Sequence, residues 1–279
     1  MWNSLQIMLP SVFGMILLLA ATSVNAAGRD IRFGSVAMDI PAVMHRRLTP
    51  LTQYLSRELG RPVSLKLAQD MPGAIKDVAD GRVDLAYLTP VAYLKAHAMG
   101  QAQLVAKTIT DGKGSFKLMI VVRSDSPIKK VTDLRGKKFA FGDRAALLQR
   151  AVVVGAGIKL DEFKSYEFLG HYDNIVRAVL HGEYDAGILK DTMAYKWKNK
   201  GIRILYASED LPPYNIAASK NVSKSMLHKL KVAFLNLDAT NPQHMEIIKT
   251  LDKNYDGFAA TSDHEYDIVR KLISPFNKK

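Results

Sequence analysis

Two stretches of the chain share one pattern of apolar and polar positions. Asp77-Val-Ala-Asp-Gly81-Arg-Val-Asp84-Leu-Ala-Tyr-Leu88 reads as the apolar end of a helix, a glycine stop, two residues, an aspartate and then a buried strand. Ala178-Val-Leu-His-Gly182-Glu-Tyr-Asp185-Ala-Gly-Ile-Leu189 reads the same way. A matching series precedes each copy. Ile31 to Ser35 and Lys138 to Gly142 read as short strands; Leu48 to Leu59 and Ala145 to Ala156 read as helices, stopped by Gly60 and Gly157. Val63 to Leu67 and Ser165 to Leu169 are second strands, and Met71 to Asp80 and Asp173 to His181 second helices. A β-α-β-α-β unit therefore occurs twice, which predicts an α/β protein of two lobes, each a mostly parallel sheet flanked by helices. One continuous doubly wound sheet is the alternative.

Between the units lies the apolar strand Phe116 to Arg123, followed by the turn Ser124-Asp-Ser-Pro127; after the second unit come Leu211-Pro-Pro213 and a strand Tyr214 to Ser219. These extended stretches are where the chain would cross between lobes and back. The expected division is lobe 1 over 27–115, with 214–279 returning to it, and lobe 2 over 116–213. Helices expected at Ser225 to Leu237, Asn241 to Asn254 and Asp263 to Ile273 would pack largely on lobe 1. In open parallel sheets, ligands lie beyond the carboxyl ends of the strands, where helix N-termini present unpaired N–H groups. That rule points to Ser35 to Asp39, Gln69 to Met71, Leu88 to Pro90, Gly142 to Arg144, Gly170 to Tyr172 and Lys190 to Thr192. Thr89-Pro90 is a helix start in its own right, with a hydroxyl at the cap and proline next. Asp143 is the expected N-cap of the helix after it.

Composition narrows the function. The 279 residues are 48% hydrophobic and 24% charged, which suits a globular protein rather than a disordered one. Ile7 to Ala21 is an apolar run broken only by Pro10, Ser11 and Gly14, and is shorter than the roughly 20 residues of a membrane span. Val24 and Ala26 then fit the small-x-small pattern of a signal-peptidase site, so 1–26 is expected to be a signal peptide and the mature chain periplasmic. No Lys or Arg lies in residues 1 to 6. There is no cysteine, which excludes disulfides, thiol catalysis and Cys-type zinc sites. The net charge of +12 is interleaved with 27 acids rather than gathered in a basic face, which argues against nucleic acid and for, at most, attraction of an anionic ligand. No G-x-S-x-G elbow, Walker loop or H-E-x-x-H motif is present, and the histidines show no metal-ligand spacing. The expectation is a binding protein without catalytic residues, metal or cofactor.

An ordered set of segments resembles a known family. It comprises Leu48-Thr-Pro-Leu-Thr-Gln-Tyr-Leu55, Gly81-Arg-Val-Asp-Leu-Ala-Tyr-Leu-Thr-Pro-Val-Ala-Tyr93, Ile120-Val-Val-Arg-Ser-Asp-Ser-Pro127, Thr132-Asp-Leu-Arg-Gly-Lys-Lys-Phe-Ala-Phe-Gly-Asp143, Gly170-His171 and Gly182-Glu-Tyr-Asp-Ala-Gly187. Together these are similar to the phosphate/phosphite/phosphonate-type substrate-binding proteins of ABC importers, over roughly residues 31 to 220. The resemblance implies a type II periplasmic binding protein fold, capture of a small anionic, phosphonate-like ligand in the interlobe cleft by hinge closure, and delivery to a membrane permease by a monomeric receptor. A ligand-sensing module feeding a sensor kinase or chemoreceptor is the alternative.

The pocket departs from the family pattern. Where the resemblance implies a Ser-Thr-Ser-like run, the chain has Gly142-Asp-Arg-Ala-Ala-Leu-Leu-Gln149, with no hydroxyl. Met71 and Phe116 stand where aromatic hydroxyls are implied, and Tyr214 where an acid is. A tetrahedral dianion buried without such partners would be costly. The ligand-binding candidates are Ser35, Met71, Thr89, Tyr93, Phe116, Asp143, Arg144, His171, Tyr172, Lys190, Asp191 and Tyr214. His171 can face the cleft or cap a helix. Arg144 can pair with an oxyanion bidentately or with Asp143. Tyr93 can line the site or pack.

Overall fold

The computed structural model describes residues 29–35 and 40–277. The expected signal peptide at 1–26, and 36–39 of the first candidate loop, lie outside the described residues. Both copies of the unit fold as expected, and into separate sheets. In the first copy, β1 (Ile31–Ser35), β2 (Val63–Leu67) and β3 (Leu85–Leu88) are joined by α1 (Pro41–Leu59) and α2 (Met71–Ala79). Next come α3 (Pro90–Gly100) and β4 (Gln103–Thr110), then the crossing strand β5 (Leu118–Arg123). The second copy has β6 (Lys138–Phe141), α4 (Leu147–Gly155), β7 (Ser165–Phe168), α5 (Tyr172–Leu180) and β8 (Ala186–Lys190), followed by α6 (Asp191–Trp197) and β9 (Ile202–Ala207). The chain returns as β10 (Asn215–Ala218) and ends with α7 (Lys224–Leu235), α8 (Pro242–Leu251), β11 (Tyr255–Ala259) and α9 (Asp267–Ile273).

The first sheet has the order β11-β4-β10-β3-β1-β2, the second β7-β6-β8-β5-β9. Each unit contributes three parallel strands with its first strand in the middle, and a crossing strand lies antiparallel beside its third: β10 on β3, β5 on β8. The sheets thus exchange strands, so the chain passes between them twice.

The duplicated aspartates do the same local work. Asp84 Oδ2 accepts from the backbone N–H of Arg32 at 2.8 Å, and Asp185 Oδ2 from that of Lys138 at 2.8 Å, each tying the entry of the third strand to the first. The glycines three residues earlier, Gly81 and Gly182, stand at φ 71° and 72°, left-handed backbone that ends the preceding helix at little steric cost.

One apolar cluster lies under α1, α7 and α8 on the first sheet, and another under α5 on the second. The largest continues from α2 and α3, through Tyr266, Val269 and Ile273, to Leu148, Ala151 and Val152 of α4. Expected against lobe 1 with the other C-terminal helices, α9 packs mainly on α4 of the second sheet and also on α3. The contact is close: a Cβ on Gly155 of α4 would come within 2.8 Å of Leu272 Cδ2 and push that side chain aside.

Candidate ligand-binding cleft

The parallel strands of each sheet end at one edge, at Ser35 and Leu88 in the first and at Phe141 and Lys190 in the second. Between the sheets the crossing segments are hydrogen-bonded to each other: Phe116 N–H donates to Leu211 C=O at 3.0 Å and Leu211 N–H to Phe116 C=O at 2.8 Å. Beside this bridge is a cleft of about 200 Å³, lined from one side by Thr110, Lys113 and Phe116 and from the other by Lys190, Asp191 and Thr192. Lys190 Nζ lies 5.4 Å from the centroid of the Phe116 ring and has no carboxylate at ion-pair distance among the described residues. Asp191 is engaged structurally. Its Oδ2 accepts from Lys117 N–H at 2.9 Å and its Oδ1 from Thr192 N–H at 2.8 Å, fastening α6 to β5.

A group of tyrosines adjoins this corner. Tyr214, in the return crossing, stacks on Tyr87 with centroids 5.1 Å apart, and the Tyr87 and Tyr255 hydroxyls share a hydrogen bond. Tyr172, at the start of α5, accepts from Gln149 Nε2 at 3.3 Å, so its own O–H remains free to donate. Burial raises the Tyr172 phenol to about 12, with the Asp191 charge adding to it and the Gln149 bond opposing. Tyr214 is pushed well above its ordinary value by burial first, then by Tyr255, Tyr172 and Asp143. Both are neutral donors at physiological pH.

Asp143 does not cap α4. The helix begins at Leu147, with Ala146 at the cap and no side-chain bond there. Asp143 Oδ1 instead accepts from Ala145 N–H at 2.7 Å, two residues on, as aspartates do in tight turns. This turn delays the helix by two residues. Gln149 Oε1 occupies the next available donor, Gly142 N–H, at 2.8 Å. Arg144 makes no ion pair with Asp143; its guanidinium lies 4.8 Å above the Phe168 ring. His171 occupies the cap position of α5 without a side-chain bond, and is exposed.

The remaining candidates divide. Thr89 caps α3, its hydroxyl accepting from Ala92 N–H at 3.1 Å, and Ser35 is buried at the end of β1. Met71 packs half-buried on the core, while the cap of α2 is Asp70, which accepts from Gly73 N–H at 2.7 Å. Tyr93 is turned away from the cleft: it is 1% exposed and donates to Asp263 at 2.6 Å. That partner arrives from the far end of the chain, which no local pattern announces. Phe116, Lys190, Asp191, Tyr172, Asp143 and Tyr214 are brought to one region. Gln149, Tyr87, Tyr255 and Lys113 were not among the candidates; a glutamine inside the apolar run Leu147 to Val154 was the only sequence signal for any of them.

Two sheets that exchange crossing strands, with a cleft between them, define a two-lobed solute receptor of the type II periplasmic kind. A family model described as "ABC transporter, phosphonate, periplasmic substrate-binding protein" matches residues 33–266, and the chain belongs to that family. The phosphonates-binding periplasmic protein of Escherichia coli K12 is 25% identical over 278 residues, covering 94% of this chain and 81% of its own. The phosphate-import protein PhnD of Mycolicibacterium smegmatis is 26% identical over 281 residues, covering 90% and 87%. The structure of PhnD1 from Prochlorococcus marinus in complex with methylphosphonate superposes with a TM-score of 0.70 at 19% identity, covering 89% of this chain and 98% of that one. The protein is a periplasmic solute-binding receptor of an ABC importer, and its family works with a membrane permease. These relatives are transport proteins, and none of them favours the sensing alternative.

Proposed function

We propose that this receptor captures a small oxyanion of the phosphonate or phosphate class, with Lys190 supplying the positive charge and the Tyr172 and Tyr214 hydroxyls donating hydrogen bonds in place of the missing Ser-Thr-Ser run. The observation that carries it is Lys190: a half-buried ammonium in a cleft between the sheets, with no carboxylate partner among the described residues. A cation in a cleft with no carboxylate of its own is free to form charge-assisted hydrogen bonds with an anionic ligand. Lys113 lines the opposite wall, so closure would bring charge to the ligand from both sides. The closing bodies are 27–115 with 214–262, and 116–213 with α9 packed on its α4, turning about the Phe116–Leu211 bridge. The mature receptor is a periplasmic monomer freed from a 1–26 signal peptide.

Isothermal titration with methylphosphonate, phosphate and phosphite against putrescine and glycine betaine tests the ligand class. Oxyanions are expected to bind and to reduce the radius of gyration in solution scattering. Tighter binding of the cationic or zwitterionic amines would overturn the reading.

A further inference from the structure

We propose that the C-terminal segment 263–273 is a strap that holds the two lobes apart, and that the hydrogen bond from Tyr93 to Asp263 is the joint released when the cleft closes. The strap places residues that set ligand affinity outside the cleft. Only the binding arm of its test rests on the oxyanion reading above.

The segment belongs to both lobes. Its first part, the short helical turn Asp263–Tyr266, sits on lobe 1. Tyr93 of α3 donates to Asp263 Oδ1 at 2.6 Å, Lys107 of β4 pairs with Glu265, and the Tyr266 ring meets the Tyr93 ring edge-on with centroids 4.8 Å apart. α9 follows without a linker and packs mainly on α4 of lobe 2. There Leu272 lies against Gly155, and Val269 and Ile273 share one apolar cluster with Leu148, Ala151 and Val152. Arg270 ties the two parts together, donating to Asp263 Oδ1 at 2.6 Å and to Asp267 Oδ1 at 2.7 Å. One oxygen of Asp263 therefore accepts from lobe 1 and from α9 at once.

A rotation of one lobe against the other has to be taken up somewhere along this segment. The turn and α9 are consecutive and cross-tied by Arg270, so they move as one piece. The contact on α4 is apolar and close-packed, and sliding it would open gaps. The contact on lobe 1 is polar and incompletely satisfied: the Tyr266 hydroxyl is buried without a hydrogen-bond partner among the described residues. Residues 260–262, irregular between β11 and the turn, supply the slack. The strap thus rides with lobe 2 and parts from Tyr93. Where the joint is made, Asp111 and Lys113 on one wall of the cleft and Thr192 and Tyr195 on the other are all exposed, so the cleft is open. The joint favours that open form, and a ligand that needs the closed form binds more weakly for it.

The test uses Tyr93→Phe, which removes the hydroxyl and keeps the ring, and Leu272→Ala, which weakens the α4 contact that both forms retain. Paired spin labels at Gln69→Cys and Asp173→Cys, exposed positions on lobe 1 and lobe 2 in a chain without cysteine of its own, read the interlobe distance with no ligand added. Titration calorimetry of the unlabelled proteins with methylphosphonate reads affinity. Both variants are expected to lower Tm. Tyr93→Phe is expected to shift the ligand-free distances shorter and to bind methylphosphonate about three- to tenfold more tightly, the fold-change of one hydrogen bond. Leu272→Ala is expected to keep the wild-type distances and an affinity within twofold, as a residue with a packing role alone would. Unchanged distances in Tyr93→Phe, weaker binding by it, or the shift appearing in Leu272→Ala instead would overturn the strap. If the wild type binds no oxyanion, the oxyanion reading falls, and the ligand-free distances alone decide the strap.

Discussion

Replacing Lys190 by Met separates binding from stability. In the unliganded receptor the ammonium touches the Phe116 ring and makes no ion pair among the described residues. Such a cation–π contact is worth about 0.5–1 kcal/mol, and a Met side chain recovers part of it through its thioether against the same ring. The loss on folding is thus below about 1 kcal/mol, a Tm change of roughly 3 °C or less for a chain of this size. Binding is different. An ammonium about 4 Å from an oxyanion at an effective dielectric of about 20 attracts it by about 4 kcal/mol. After desolvation, a net of about 1.5–3 kcal/mol remains, or about 10- to 150-fold in Kd. Lys107→Met is the control with the opposite profile. Lys107 is paired with Glu265 and its side chain is 15% exposed, so its loss costs about 1–2 kcal/mol of stability. Titration calorimetry with methylphosphonate, together with scanning calorimetry of the unliganded proteins, reads both quantities. A Kd for Lys190→Met within twofold of the wild type, or a Tm loss matching that of Lys107→Met, would refute the argument.

Two further outcomes follow from the packing. The duplicated aspartates should differ in weight: Asp84→Ala strips hydrogen bonds from Arg29, Arg32 and a backbone N–H, and should cost about 3 kcal/mol, whereas Asp185→Ala loses one exposed backbone bond and should cost about 1 kcal/mol in urea unfolding. Equal costs would contradict the structure. Acid stability should depend on Asp263 and Glu265. Burial pushes both carboxyls up, but hydrogen bonds from Arg270 and Tyr93 to the first, and from Lys107 to the second, outweigh it and hold both below the ordinary carboxylate range. A folded pKa below the unfolded one contributes stability that is present above about pH 4 and lost as pH falls through the folded value. Tm should therefore drop on the acid side, and by less in Tyr93→Phe; an identical acid limb in that variant would sink the assignment.

The parts legible in the sequence were those built by neighbours along the chain. The two β-α-β-α-β units, their glycine stops and the aspartates at strand entry follow from hydrophobic period and local capping, which act within a few residues. What stayed hidden depends on partners far away. Tyr93 reads as either a cleft or a packing residue until Asp263 docks beside it from the C-terminal segment. The last helix reads as part of lobe 1 until Leu272 fits over Gly155 on the other sheet. β11 carries no pattern of its own because its register is imposed by β4. Asp143 is the instructive case, since its type and place suggested a helix cap. The chain instead spends Gln149 on the first free donor and Asp143 on a turn, so the hydroxyls missing from this loop are not replaced there. Tyr172, at the start of α5, and Tyr214, in the return crossing, come from distant parts of the chain, and no local pattern pairs them. A ligand site of the kind proposed, assembled from such pieces, can change its preference through single residues while every element of the fold stays where the repeat puts it.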